Sequence, residues 1–156
     1  MWADKLLFGT AGIPTFAKGT DTISGIKAVR QLGLDSMELE FVQSVNISRE
    51  KAPFVAAAAK KEEVVLTCHA PYYINLNAAD AAKLEASKKR LVKAAEVAWL
   101  CGARSVAFHP GFYMGKSKEE AYAAVKKALS EVIQQLQNIG CSIWVRPETT
   151  GKRTQF

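Results

Sequence analysis

The sequence predicts an α/β fold built on a parallel sheet, and three observations carry that reading. Short apolar runs of strand length alternate with longer stretches whose apolar residues recur every three or four positions, which is the pattern of βαβ units. Gly33, Gly102 and Gly140 each close a helical stretch, and Ser36, Ser105 and Ser142 open a strand within the next three residues. Such short αβ connections suit a parallel barrel or an open doubly wound sheet. The third observation is an absence. Gly9-Thr-Ala-Gly12-Ile-Pro14 after the first strand reads as a turn, not as GxGxxG, and no phosphate P-loop is present, which disfavours a dinucleotide-binding sheet.

Five strands are expected in order: Leu6–Gly9, Ser36–Val42, Val64–His69, Ser105–His109 and Ser142–Arg146. Each is rich in Val, Ile, Leu, Phe or Met, and each follows a polar or glycine break. Four helical stretches lie between them. The first ends at Gly33, and the second carries Lys60-Lys61. The third, Asp80–Cys101, stops at Gly102. The fourth, Lys118–Ile139, is the clearest, with Ala121, Ala124, Val125, Ala128, Leu129, Val132, Ile133, Leu136 and Ile139 forming a stripe that should face a sheet. Ser117 and Glu120 have capping-box spacing at its start, and Gly140 sits where a left-handed residue would end it.

The chain has 156 residues, 49% hydrophobic and 23% charged, which fits a single domain over residues 1–156 and excludes disorder, collagen and coiled coil. Apolar runs reach only four to six residues, far short of the roughly 20 that cross a bilayer, and Met-Trp-Ala-Asp-Lys does not start a secretion signal. Three widely spaced cysteines, Cys68, Cys101 and Cys141, offer neither a disulfide framework nor a CxxC motif. A cytoplasmic protein is therefore expected, with no membrane partner. The excess of 21 Lys+Arg over 15 Asp+Glu gives a net charge of +6, which permits a polyanionic partner without demonstrating one.

The chain has only two histidines, and both end a strand just before a proline: Cys68-His69-Ala-Pro71 and Phe108-His109-Pro110-Gly111. A third strand ends in Arg146-Pro147-Glu148-Thr-Thr-Gly151. In parallel α/β proteins the C-terminal strand ends are where catalytic residues collect. A lone strand histidine is more often a hydrogen-bonded core residue, and histidines that cap loops are the alternative here. Coincidence across three strands favours a metal site, because two imidazoles and a carboxylate suit zinc or a similar ion.

Tyr72 and Tyr73 are adjacent in the loop that His69 opens, where both are hard to place in a core. They can wedge into nucleic acid or cover a sugar, or else pack on the next helix. Met37, Leu39 and Phe41 alternate with Glu38 and Glu40, so both carboxylates should face away from the helices. Arg146 is the expected partner in an ion-pair network inside a barrel, a solvated strand face being the alternative. Lys88-Lys89-Arg90 and Lys126-Lys127 read as solvated helix faces, whereas Lys116 and Lys152-Arg153 follow strand-end loops and are candidates to meet phosphate.

With these motifs assembled, the sequence resembles the endonuclease IV family of apurinic/apyrimidinic endonucleases, in a form similar to archaeal members. The resembling segments are Leu7-Phe-Gly-Thr-Ala-Gly12, Met37-Glu-Leu-Glu-Phe-Val42, His69-Ala-Pro-Tyr72-Tyr-Ile-Asn75-Leu76, Phe108-His-Pro-Gly111 and Arg146-Pro-Glu-Thr-Thr-Gly-Lys152, in the family's order. Asn77 departs from the small residue usual there. The resemblance implies a (β/α)8 barrel of TIM type in the xylose-isomerase-like class. It also implies a trinuclear zinc site that hydrolyses the phosphodiester 5′ to an abasic site in double-stranded DNA. His69, His109 and Glu148 would hold one zinc, with Glu148 also bridging to a second and serving as the catalytic carboxylate. Tyr72 would belong to the loop that enters the DNA.

A complete (β/α)8 barrel takes around 250 residues, so the expectation is an incomplete barrel of about five strands and four helices. This would be the amino-terminal portion of such an enzyme, with ligands for one zinc and part of a second, inactive alone and prone to self-associate as a homo-oligomer through open barrel edges. A metal-dependent sugar isomerase or epimerase of the same barrel class is the alternative, and a metal-free scaffold is the third reading.

Overall fold

Strand and helix alternate as β1 (Gly9–Ala11), α1 (Thr22–Gln31), β2 (Ser36–Glu40), α2 (Ala52–Lys61), β3 (Val65–His69), α3 (Ala81–Leu100), β4 (Ser105–Phe108), α4 (Lys118–Asn138) and β5 (Trp144–Pro147). The computed structural model describes residues 6–155. All neighbouring strands pair in parallel, in the sequential order β1-β2-β3-β4-β5. The crossover helices pack on one face of the sheet. The α/β class and the partial parallel barrel expected from the sequence are both present.

Period-two alternation sorts the side chains. Met37, Leu39, Phe41, Leu66, Cys68, Val106 and Phe108 are buried at 3% exposure or less and meet the helices in one core. Helix α3 contributes Leu91, Ala94, Ala95 and Ala98 to it, and α4 contributes Val125, Ala128, Val132 and Leu136. The residues between these, Glu38, Glu40, Val65, Thr67 and Ala107, are half-buried on the other face, and Trp144 and Arg146 are exposed there.

The helix ends follow local chemistry. Asp21 and Asp80 accept from the backbone N–H of Ser24 and Lys83 at 3.1 and 2.8 Å. Ser117 and Glu120 form the expected capping box, and Gly140 adopts a φ of 73° after α4. Lys88, 8% exposed, ties α3 to α4 through Glu131 at 2.6 Å and also pairs with Glu85. All three thiols are buried and free, and burial holds them protonated, Cys101 up to about 12. Among the described residues no helix is long and apolar enough to cross a membrane.

The first strand is a correction. The sequence places it at Leu6–Gly9, but it lies at Gly9–Ala11, while Leu6 and Phe8 are 75% and 63% exposed. Its placement follows backbone fit rather than side-chain polarity. Gly9 pairs with Ser36 so closely that a Cβ would strike the Ser36 carbonyl, and Phe8 O accepts from Asp35 and Ser36 N–H at 2.8 and 3.1 Å. The fifth strand likewise starts at Trp144, two residues later than expected.

Candidate metal centre

Three adjacent strands end at the same level and deliver three side chains to one place. His69 is the last residue of β3, His109 follows β4, and Glu148 follows β5. The register Phe108↔Pro147 and the bond from Glu148 N–H to Phe108 O at 2.9 Å set Glu148 beside His109. Glu148 Oε2 lies 3.3 Å from His69 Nε2 and 3.7 Å from His109 Nε2. The imidazole rings meet edge to face with centroids 5.1 Å apart. One donor atom from each of the three residues lies within 4.8 Å of the others. The structure thus brings together the three residues that the sequence singles out.

The donor set fits a divalent cation. His69 Nδ1 is 2.8 Å from Ala70 O, and since a carbonyl only accepts, this nitrogen carries the hydrogen. That leaves an Nε2 lone pair facing a carboxylate oxygen, an arrangement that a cation or a proton between them stabilises. The His69 side chain is buried and pre-oriented by that bond, whereas the Glu148 side chain is half exposed. Two imidazole nitrogens and one carboxylate oxygen would leave other coordination positions open.

Tyr72 covers the cluster. Its ring stacks on His109 at 5.4 Å with planes 25° apart and meets the His69 edge at 5.3 Å. One side is therefore packed on the ligands while the ring stays 50% exposed, and Tyr73 is 64% exposed beside it. Lys152 is exposed in the tail after β5. Lys116 is exposed as a residue, but its Nζ donates to Asn77 Oδ1 at 2.9 Å.

Glu38 and Glu40 share the open sheet face with the cluster, and Glu40 is the register partner of His69. Burial, a hydrogen bond with Glu40 and the Glu40 charge raise the Glu38 carboxyl above its ordinary value. The two glutamates help line a cavity of about 190 Å³ with Gly12, Thr22 and Asn46. The expected network with Arg146 is a second correction. The Arg146 guanidinium lies 4.9 Å over the Trp144 ring, and among the described residues no ion pair joins it to Glu38 or Glu40. Strands β2 and β5 stand three spacings apart, roughly 14 Å, which is too wide for a pairing across this open sheet.

Sequence reasoning missed Asn75 and Asn77 as site residues. Asn77 is 2% exposed and bridges the loops that leave β3 and β4. Its only sequence signal was its departure from the small residue of the resembling family.

Residues 26–156 match the family described as xylose isomerase-like TIM barrel. An uncharacterized protein of Methanocaldococcus jannaschii is 40% identical over 151 residues, covering 97% of this chain and 54% of the relative. The chain thus spans about half the length of that relative. Among solved structures, 3-keto-D-glucoside 4-epimerase from E. coli superposes with a TM-score of 0.70 at 15% identity, covering 97% of this chain and 59% of that one. Endonuclease IV from Thermus thermophilus does so with a TM-score of 0.65 at 20% identity, covering 89% and 51%. Sugar epimerases recur among the similar folds, and likeness at these identities establishes the fold alone.

Proposed function

The chain belongs to the xylose isomerase-like TIM barrel family, and from that premise we propose that it forms part of a zinc-dependent phosphodiesterase acting at abasic sites in double-stranded DNA. One observation carries the reading: the His69–His109–Glu148 cluster has an aromatic cover, Tyr72, stacked on a ligand and half exposed to an incoming molecule. An abasic nucleotide lacks stacking and pairing, so its extrusion is cheap, and a rim aromatic can fill the gap left behind.

The Ala70 carbonyl fixes the His69 ring, the packed strand ends hold His109 and Glu148 near it, and Tyr72 shields the cluster from water on one side. His69, His109 and Glu148 would hold the zinc, which when bound would supply positive charge against the charge that builds on the attacked phosphate. Glu148, which lies between the two histidines, would supply the anionic ligand of the site. Lys152 and the net charge of +6 favour a polyanion.

The test compares zinc-loaded protein on a duplex with one tetrahydrofuran abasic analogue and on the intact duplex. Preferential binding of the abasic duplex, weakening as salt rises, is expected, with strand scission 5′ to the lesion where the assembly is complete. Equal affinity for both duplexes, or indifference to salt, would contradict it.

A second reading, epimerisation of a ketose, is favoured by the Glu38–Glu40 pair lining the cavity at the end of β2, because carboxylates accept from sugar hydroxyls. Turnover of D-psicose or D-tagatose with no preference for abasic DNA would select it. Self-association is a further proposal, through β1 and β5, which end the sheet. Sedimentation should detect a dimer, and a monomer at high concentration would contradict it.

A further inference from the structure

Asn77 is buried to 2% exposure in a segment whose sequence looks like a polar loop, and both ends of its side-chain amide are hydrogen-bonded inside the protein. Its Nδ2 donates to Phe112 O at 2.8 Å and to Tyr113 O at 3.2 Å. Its Oδ1 accepts from Lys116 Nζ at 2.9 Å, and its backbone N–H donates to Asn75 Oδ1 at 3.0 Å. These bonds join the loop after β3, which carries Tyr72, to the loop after β4, which starts at His109.

The joint is reinforced around it. Leu76 N–H donates to Pro110 O at 2.8 Å, and Asn75 Oδ1 accepts weakly from Phe112 N–H at 3.4 Å. Gly111 has φ of 144° and sits where a Cβ would collide with Asn75 Oδ1, so the loops approach more closely than any side chain there would allow. On its far side the second loop is bonded to the tail after β5, through Tyr113 N–H to Thr154 O at 3.1 Å and the Phe112–Gln155 bridge. Three loops, each beginning at one residue of the metal cluster, are thus tied in series.

We propose that Asn77 is a positioning residue that clasps the β3 and β4 loops so that Tyr72 stays stacked on His109 before any ligand arrives. The clasp deepens the abasic-DNA reading and rests on it for its binding consequence: a loop ordered in advance does not spend binding free energy on ordering. It also gives Lys116 a part in the clasp, one N–H of its ammonium being held by Asn77 Oδ1.

Two variants separate the parts. Asn77→Ala removes every side-chain bond. Asn77→Asp keeps an acceptor for Lys116 but sets carboxylate oxygen against the Phe112 and Tyr113 carbonyls. Both should move the His109 imidazole C–H resonance, which the Tyr72 ring current shifts, to the value it takes in Tyr72→Leu. Both should also weaken binding of the abasic duplex about tenfold, while the intact duplex loses less than about twofold. Val132→Ala, buried in α4 away from the loops, is the control for general destabilisation and should leave the resonance and the preference in place.

An unmoved His109 resonance in Asn77→Ala would overturn the clasp, as would Val132→Ala producing the same changes. If wild type shows no preference for the abasic duplex yet Asn77→Ala still shifts the resonance, the clasp stands and the DNA reading fails.

Discussion

Adjacent residues at one strand end belong to different regimes of this molecule. Phe108, at the end of β4, points to the helices and is fully buried, while His109, the next residue, turns to the open face and joins His69 and Glu148. Cys68 and His69 repeat the contrast on β3. One face of the sheet therefore carries the stability, and the other carries charge and ligands at some cost in solvation. The difference teaches that a mutation's effect depends on the parity of its position more than on its distance from the site.

The largest expected effect lies on the covered face. Phe108→Ala should cost about 3–5 kcal/mol in denaturant unfolding and leave the zinc content of the folded fraction unchanged. A loss below about 1 kcal/mol would erase the contrast. His69→Ala and His109→Ala should do the reverse. Zinc affinity should fall by more than the roughly 10–100-fold that loss of an outer-shell partner costs, with helix content kept. Unchanged zinc in both would contradict the cluster.

A smaller effect tests the open face through pH. Burial and Glu40 raise the folded-state Glu38 carboxyl, so the folded chain holds this proton more tightly than the unfolded chain does. The stabilisation is complete below the ordinary glutamate value and is lost as pH climbs through the raised one. Glu38→Gln should flatten that part of the stability profile measured by denaturant titration between acid and neutral pH, and parallel profiles would refute the raised Glu38 carboxyl. The smallest effect is Arg146→Leu. With its guanidinium over Trp144 and no ion pair to Glu38 or Glu40, the change should stay within about 0.5 kcal/mol, and a loss above about 2 would restore the network expected from sequence.

Legibility in the sequence follows the same division. Strands β2 to β4 and helices α3 and α4 were readable because their periods and end signals agree with their burial, as at Ser117 and Gly140. The strand β1 was not, since Leu6 and Phe8 are apolar yet exposed, and the real strand is set by how closely Gly9 approaches Ser36. His69, His109 and Glu148 were readable because equal placement at three strand ends is a topological fact visible in one dimension. The Arg146 pairing failed because sequence shows which face a residue takes and not how many strands separate two residues on it. Asn77 was missed because its burial arises from two loops meeting, and neither loop announces the other.

The claim that His69, His109 and Glu148 form a metal centre is tested most directly by zinc per chain, measured by elemental mass spectrometry on protein purified without a metal-affinity tag or chelator. The account predicts about one zinc per chain, absent from a His69→Ala/His109→Ala double variant that keeps its fold. No zinc in the wild-type protein, even after dialysis against excess zinc, or equal zinc in the double variant, would contradict it.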